Sequence, residues 1–278
     1  GAGKSTLVNA LLGLPVCPAH AARRVRSLTV VRYGDAPAAS VVYRTESTSD
    51  ADAERDDAAA GPALAGSATG AGAPDETLAR PLSLDEAAAY AMTSTSPKVA
   101  GEVYAVEIDV PSPSLVGGLV VVDTPALGAS GGSARALAAL EQADAALFVT
   151  DAADELSASE LSALRLARIG CPNLALVVAK TDLHPAWREI VEADRARLAA
   201  ADLDVAIVAV SSALRQLAQS GLVGADAFSG FDALVGWLGD HVVRVADQLV
   251  VRTAADEAAG VVHQLIERFE TERVALSD

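Results

Sequence analysis

Residues 1–13 read GAGKSTLVNALLG. Gly3, Lys4 and Ser5 fill the second half of the pattern GxxxxGK[ST], a glycine-rich turn whose backbone amides cradle phosphate ahead of a helix. The pattern's first glycine, and the strand that delivers the turn, are expected upstream of residue 1, so no targeting signal is read from the N-terminus. Leu7, Val8, Leu11 and Leu12 recur at helical spacing up to Gly13, which suits a C-terminal cap. In such a loop the phosphates would lie against Gly1, Ala2, Gly3, Lys4, Ser5 and Thr6. Lys4 would reach the β- and γ-phosphates, and the Ser5 hydroxyl would hold Mg²⁺, a small hard cation that prefers oxygen. A bare GKS match arises by chance as an ordinary turn. The order of loop, amphipathic helix and subsequent strands favours nucleotide.

The rest of the chain alternates in the manner of an α/β domain. Strand-like runs occur at 27–34 (SLTVVRYG) and 40–44 (SVVYR), and a short helix is expected around 83–92. Residues 45–81 are small, polar and acidic without an apolar period, and read as a flexible surface insertion. EVYAVEIDV (102–110) alternates as a half-exposed edge strand would. The Val-rich runs GLVVVD, AALFVTD, NLALVVA and VAIVAV read as buried parallel strands, with helices near 133–142, 157–169 and 186–201 between them. The predicted fold is α/β, a doubly wound, mostly parallel sheet with ligand loops at the strands' carboxyl ends. From Asp240 to about Ala275 an apolar stripe runs through Val242, Val245, Leu249, Val261, Leu265 and Phe269. A continuous helix there would be roughly 50 Å long, more than a sheet domain needs.

Composition narrows the function. A net charge of −16 disfavours nucleic acid and anionic membrane as partners of this part of the chain, because both reward clustered cations. No apolar run approaches the roughly 20 residues that span a bilayer. Cys17 and Cys171 are too few for a disulfide framework or zinc site and read as free cytosolic thiols, and the four histidines show no ligand spacing. Only three lysines occur, Lys4, Lys98 and Lys180, and two of them fall inside nucleotide motifs.

Three further motifs follow the loop. In LVVVDTPALG (119–128), Asp123 ends a buried strand where a water-mediated Mg²⁺ contact would be made, and the alternative is an N-cap or Asx turn before the next helix. Lys4, Asp123 and Thr124 form the candidate catalytic set, Ser5 and Asp123 the candidate metal ligands, and Ala126 a candidate phosphate contact. In NLALVVAKTDL (173–183), Lys180, Thr181 and Asp182 are similar to the [NT]KxD signature. There the carboxylate accepts two hydrogen bonds from the guanine edge while the lysine stem covers the base. Adenine offers no such pair of donors, so Asp182 would select GTP. In VSSALR (210–215), Ser211, Ser212 and Ala213 are placed for the Ala213 amide to meet the guanine oxygen.

Four motifs in this order, each after an expected strand, resemble the dynamin superfamily of large GTPases, in particular bacterial dynamin-like proteins. The resemblance rests on GAGKSTLVNALLG, TVVRYG, GEVYAVEIDVPSPSLVGGLVVVDTP, AKTDLHPAW and SGFDALVGWL. It implies a GTPase head at 1–239 lacking its first strand, with the insertion 45–81, and the entry to a helical neck or stalk at 240–278. It also implies GTP and Mg²⁺ as cofactors and association with itself or a dynamin-like paralogue through head and stalk. Further implications are membrane contact through C-terminal parts beyond Asp278 and a cytoplasmic location peripheral to the inner face of the plasma membrane.

The chain also departs from the pattern. The family's switch threonine should precede TVVRYG, where the chain has AHAARRVRSL (19–28) and no threonine until Thr29. Ala126 replaces the DxxG glycine, Ala179 replaces the Asn or Thr of [NT]KxD, and Gly1 stands where many dynamins carry a polar residue. Ser27 or Thr29 could substitute as a metal or water ligand, and Arg23, Arg24 or Arg26 could supply charge unless they are a solvated loop face. These departures predict GTP binding with slow hydrolysis, and leave a hydrolysis-deficient scaffold that partners an active paralogue as the alternative. A ribosome-assembly GTPase would share the fold but calls for a basic RNA-binding module, which this acidic chain lacks.

Overall fold

The structure, a computed structural model, describes residues 2–18, 27–44, 77–91, 102–126 and 132–244. Helix α1 (Lys4–Leu12) starts after Gly3 at φ +95° and stops at Gly13, whose φ of +70° gives a left-handed cap. Strands β1 (Leu28–Tyr33), β2 (Ala38–Arg44), β3 (Thr77–Leu82), β4 (Glu102–Val110) and β5 (Val121–Asp123) form one sheet in the order β3-β2-β4-β1-β5, with helix α2 (Leu84–Ala91) between β3 and β4. Strands β6 (Ala146–Asp151), β7 (Leu174–Ala179) and β8 (Ala206–Ala209) form a second, with helices α3 (Gly132–Glu141), α4 (Ala158–Gly170) and α5 (Trp187–Ala200) in the connections. Helices α6 (Ser212–Gln219) and α7 (Phe231–Leu238) follow.

The expected single, mostly parallel sheet is corrected to two sheets, one of mixed direction and one parallel. The second is parallel throughout, and β7 is buried at every position, as a strand covered on both faces should be. In the first, only β1 and β4 run parallel, whereas β2 is antiparallel to both β3 and β4, and β5 is antiparallel to β1. Connection length explains β5. A parallel return needs a crossover of about a dozen residues or more, usually a helix. Residues 111–120 hold only a 3-10 turn at Pro113–Leu115 and two glycines at positive φ, Gly117 and Gly118.

The edge assignment of 102–110 is also corrected. β4 lies between β2 and β1, with Val103, Ala105, Val106, Ile108 and Val110 buried. Its charged alternation reflects pairing with a neighbour: Arg32 on β1 donates to Asp109 at 2.7 Å and to Glu107 at 2.9 Å. The far end of the presumed insertion is ordered structure, since Thr77–Leu82 pairs with β2. Residues 45–76 lie outside the described residues.

The sheets carry separate cores. Leu12, Val31, Ile108, Val110 and Leu115 pack with Ala87 and Ala91 of α2 on the first, and Leu164, Ala167, Val191 and Leu198 of α4 and α5 pack with Leu174, Leu176 and Val178 on the second. A capping box starts α4: the Ser157 hydroxyl accepts the Glu160 amide while the Glu160 carboxylate accepts the Ser157 amide.

The chain divides into two compact units, Gly1–Leu234 and Val235–Asp278. In the second, a π-helical turn (Gly239–Val243) follows α7, and the His241 ring stacks on Trp237 with centroids 4.6 Å apart. Helix is thus present before Asp240, where the sequence pattern placed its start. The expected continuation from residue 245 to about 275 lies outside the described residues.

Gly230 places the segment after β8. Its φ is +74°, and a Cβ there would lie 2.0 Å from the Ala209 carbonyl oxygen at the end of β8. Because the obstacle is backbone, Gly230→Ala is expected to cost about 3 kcal/mol, combining left-handed strain with overpacking. Denaturant titration against wild type checks this, and a loss within experimental error would refute it.

Candidate nucleotide site

The carboxyl ends of β5 and β7 and the start of α1 come together. Ser5 Oγ donates to Asp123 Oδ2 at 2.5 Å. A Cβ added at Gly3 would lie 3.7 Å from Ala179 Cβ and 4.0 Å from Lys180 Cε, so the turn before α1 touches the ends of both sheets. The positive φ of Gly3 is one that L side chains rarely adopt. Helix geometry leaves the first-turn amides of α1 without intrahelical acceptors, and Gly3 places no side chain before them, as an anion-binding helix start requires.

Asp123 is 2% exposed. Burial pushes its carboxyl above the usual range, and the Ser5 hydroxyl and the Lys4 charge oppose that shift. Its Oδ1 has no hydrogen-bond partner among the described residues. The N-cap alternative for Asp123 is thereby set aside, since the side chain turns to Ser5 across the fold rather than to α3. One hydroxyl and one buried carboxylate with a free oxygen fit a hard divalent cation that takes its remaining ligands from phosphate and water. No group of three or more His, Cys, Asp or Glu that could hold a metal occurs among the described residues. Ala2, Lys4 and Thr6 are half-buried around the same helix start, as is Thr124 after β5, whereas Ala126 is exposed. Gly1 and the arginines at 23, 24 and 26 lie outside the described residues.

A second group forms beyond β7 and β8. Ser211 Oγ donates to Asp182 Oδ1 at 2.6 Å and accepts the Leu214 amide at 3.1 Å, capping α6. One hydroxyl thus ties the exposed Asp182 carboxylate to the helix start that carries Ser212 and Ala213. Ala213 is exposed in the first turn of α6, where helix geometry leaves its amide without an intrahelical acceptor. Thr181 is half-buried, and its amide donates to the Val210 carbonyl.

Lys180 is held in a way that the motif reading missed. It adopts φ +63°, and its ammonium bonds the Asp151 carboxylate at the end of β6, with His184 Nε2 3.4 Å from the other Asp151 oxygen. Burial acts to raise the Asp151 carboxyl, but the Lys180 ammonium, the Ala153 amide and His184 outweigh it and hold it below the usual range. The signal was available, because AALFVTD ends in an acid at the mouth of a buried strand, as LVVVD does. Asp151→Asn is expected to weaken GTP binding roughly threefold to tenfold by freeing the Lys180 stem. A lowered folded-state value means that the contact is complete above about pH 4, the ordinary Asp range, and is lost as pH falls through the folded value. Nucleotide affinity of wild type and variant between pH 7 and pH 4 checks both statements; an unchanged Asp151→Asn affinity would refute them.

A surface cavity of about 320 Å³ lies elsewhere, at the amino end of β8, lined by Arg195, Leu198, Asp202, Leu203 and Ile207. No motif residue lines it.

The sequence profile of the Dynamin family matches residues 1–173. The Lys180–Asp182 and Ser211–Ala213 groups lie beyond the matched part. The chain is 35% identical over 279 residues to the isoniazid-induced protein IniA of Mycobacterium tuberculosis, in both strain CDC 1551 and strain H37Rv, with 99% of the chain covered. It spans 38% of the length of these relatives. Two solved structures, described as an oligomerised bacterial dynamin pair that provides a mechanism for the long-range sensing and tethering of membranes, superpose with TM-scores of 0.67 and 0.66 at 16% identity. They cover 98% of this chain, which in turn covers 49% and 48% of theirs.

Proposed function

The chain belongs to the dynamin family, and from that premise we propose that it is the guanine-nucleotide-binding head of a longer dynamin-like protein that hydrolyses GTP and uses nucleotide-dependent association to remodel or scaffold membrane. The observation that carries the reading is the meeting of Gly3, Lys4, Ser5 and Asp123 at one end of the sheets with Asp182 and Ser211 at the same end, joined by the approach of Gly3 to Ala179 and Lys180. In this reading residues 1–239 are the head and 240–278 enter the neck. No helix among the described residues is long and apolar enough to cross a membrane.

The residues divide the work. The first-turn amides of α1 and the Lys4 ammonium bind the phosphates, and positive charge there stabilises the developing charge on the transferred group. Ser5 and Asp123 would hold Mg²⁺, which would supply neutralisation of phosphate charge. Thr124 and the Ala126 amide follow Asp123 toward the γ-phosphate. Asp182 reads the guanine edge with its orientation fixed by Ser211, the Lys180 stem lies along the base with its end fixed by Asp151, and Ala213 offers an amide to the guanine oxygen.

The second reading is a hydrolysis-deficient GTP-binding scaffold that partners an active dynamin-like paralogue. It is favoured by Ala126, whose methyl restricts the backbone where a glycine would permit closer approach, and by the lack of a threonine between 19 and 28. Single-turnover hydrolysis of GTP by the full-length protein separates the readings. The expected rate is one or more decades below an intact dynamin-like head under the same assembly conditions, because groups that position water and γ-phosphate act on the chemical step more than on binding. Equal rates would remove the scaffold reading, and no detectable turnover with tight GTP binding would remove the hydrolase reading.

A further inference from the structure

Asp123 Oδ1 is not the sole buried polar atom at its end of the sheet without a hydrogen-bond partner among the described residues. Thr29 on β1 is fully buried, and its Oγ1 likewise has no hydrogen-bond partner among the described residues. The two residues stand directly opposite each other in the antiparallel β1–β5 pair. Opposed residues of such a pair project from the same face with Cβ atoms roughly 5 Å apart. A hydroxyl that can donate and a carboxylate oxygen that can only accept are therefore neighbours on one face of the sheet, yet make no direct bond. Buried polar atoms in native proteins nearly always find partners, often through an ordered water that bridges them.

We propose that one buried water joins Thr29 Oγ1 to Asp123 Oδ1, and that Thr29 is thereby a positioning residue for the cation-binding carboxylate. The inference rests on the Mg²⁺–nucleotide reading of the Ser5–Asp123 pair, and it gives Thr29, named from the sequence as a substitute metal or water ligand, a role through Asp123 instead. Asp123 is fixed on one side, where Ser5 Oγ bonds Oδ2. A carboxylate bonded through one oxygen keeps freedom to rotate about its own axis. A second restraint at Oδ1 removes that freedom and presents the same lone pairs to the cation each time. Groups that orient a metal ligand in this way commonly govern metal affinity. The register partner of Thr29 is the carboxylate itself. Its contribution therefore acts through Asp123 rather than on nucleotide.

The test uses full-length protein carrying Thr29→Val, which keeps the shape and removes the hydroxyl, and Thr29→Ser, which keeps the hydroxyl. Affinity for a fluorescent GDP analogue is measured in EDTA and across a Mg²⁺ titration. Thr29→Val is expected to raise the Mg²⁺ midpoint about tenfold while leaving the EDTA affinity within about twofold of wild type. Thr29→Ser is expected to restore the wild-type midpoint. An unchanged midpoint in Thr29→Val overturns the inference, whereas a wild-type protein that binds the analogue without any response to Mg²⁺ overturns the Mg²⁺ reading itself. Should Thr29→Val fail to fold, a crystal structure of the wild-type protein at atomic resolution decides: a water bonded to both Thr29 Oγ1 and Asp123 Oδ1 supports the inference, and a dry gap overturns it.

Discussion

Lys4→Ala is expected to abolish binding of GTP and ATP alike, lowering both affinities at least about 100-fold. Bonds to charged groups contribute about 1.5–3 kcal/mol each, and an ammonium placed between two phosphates makes more than one. Lys4 opens α1 beside the buried Asp123, whose carboxyl its charge stabilises in the ionised form. Alanine is the best helix former, so α1 persists in the variant and lost binding reports the ammonium rather than unfolding. Far-UV circular dichroism confirms the helix, and titration with labelled GTP and ATP measures the effect. Tight GTP binding by Lys4→Ala would remove the phosphate-loop reading.

The second large effect concerns the base. Asp182→Ala is expected to weaken GTP binding about 10-fold to 100-fold while leaving ATP within about threefold, because the loss is confined to hydrogen bonds that guanine donates and adenine does not. Ser211 loses its acceptor in the variant but still caps α6 through Leu214, so the helix start beneath the base is retained. Competition of both nucleotides against a fluorescent analogue gives the ratio. Parallel loss of GTP and ATP would mean that Asp182 supports the loop rather than reads the base.

Legibility in the sequence followed local chemistry. The helix after Gly3, the Val-rich strands β6, β7 and β8 and the helices α3, α4 and α5 were visible because period and turn residues agree there. Ser5 with Asp123, and Asp182 with Ser211, were visible as motif members, and the structure brings each pair to hydrogen-bonding distance. Strand direction was less legible. The run ending in Asp123 has the apolar composition of a parallel strand, and only the short helix-free connection from β4 reveals its reversal. In β4 the alternation of Glu107 and Asp109 imitates an edge because Arg32, on a strand distant in sequence, supplies the countercharge. The Asp151–Lys180 pair escaped for the same reason: a contact between strand ends 29 residues apart leaves no periodic trace.

The most direct test of a guanine-selective phosphate-loop head is titration of the full-length protein with labelled GTP and labelled ATP in Mg²⁺. The account predicts GTP affinity at least about tenfold above that for ATP, the factor expected where Asp182 is satisfied by guanine and left without a donor by adenine. Equal affinity for the two nucleotides, or binding of neither, would contradict it.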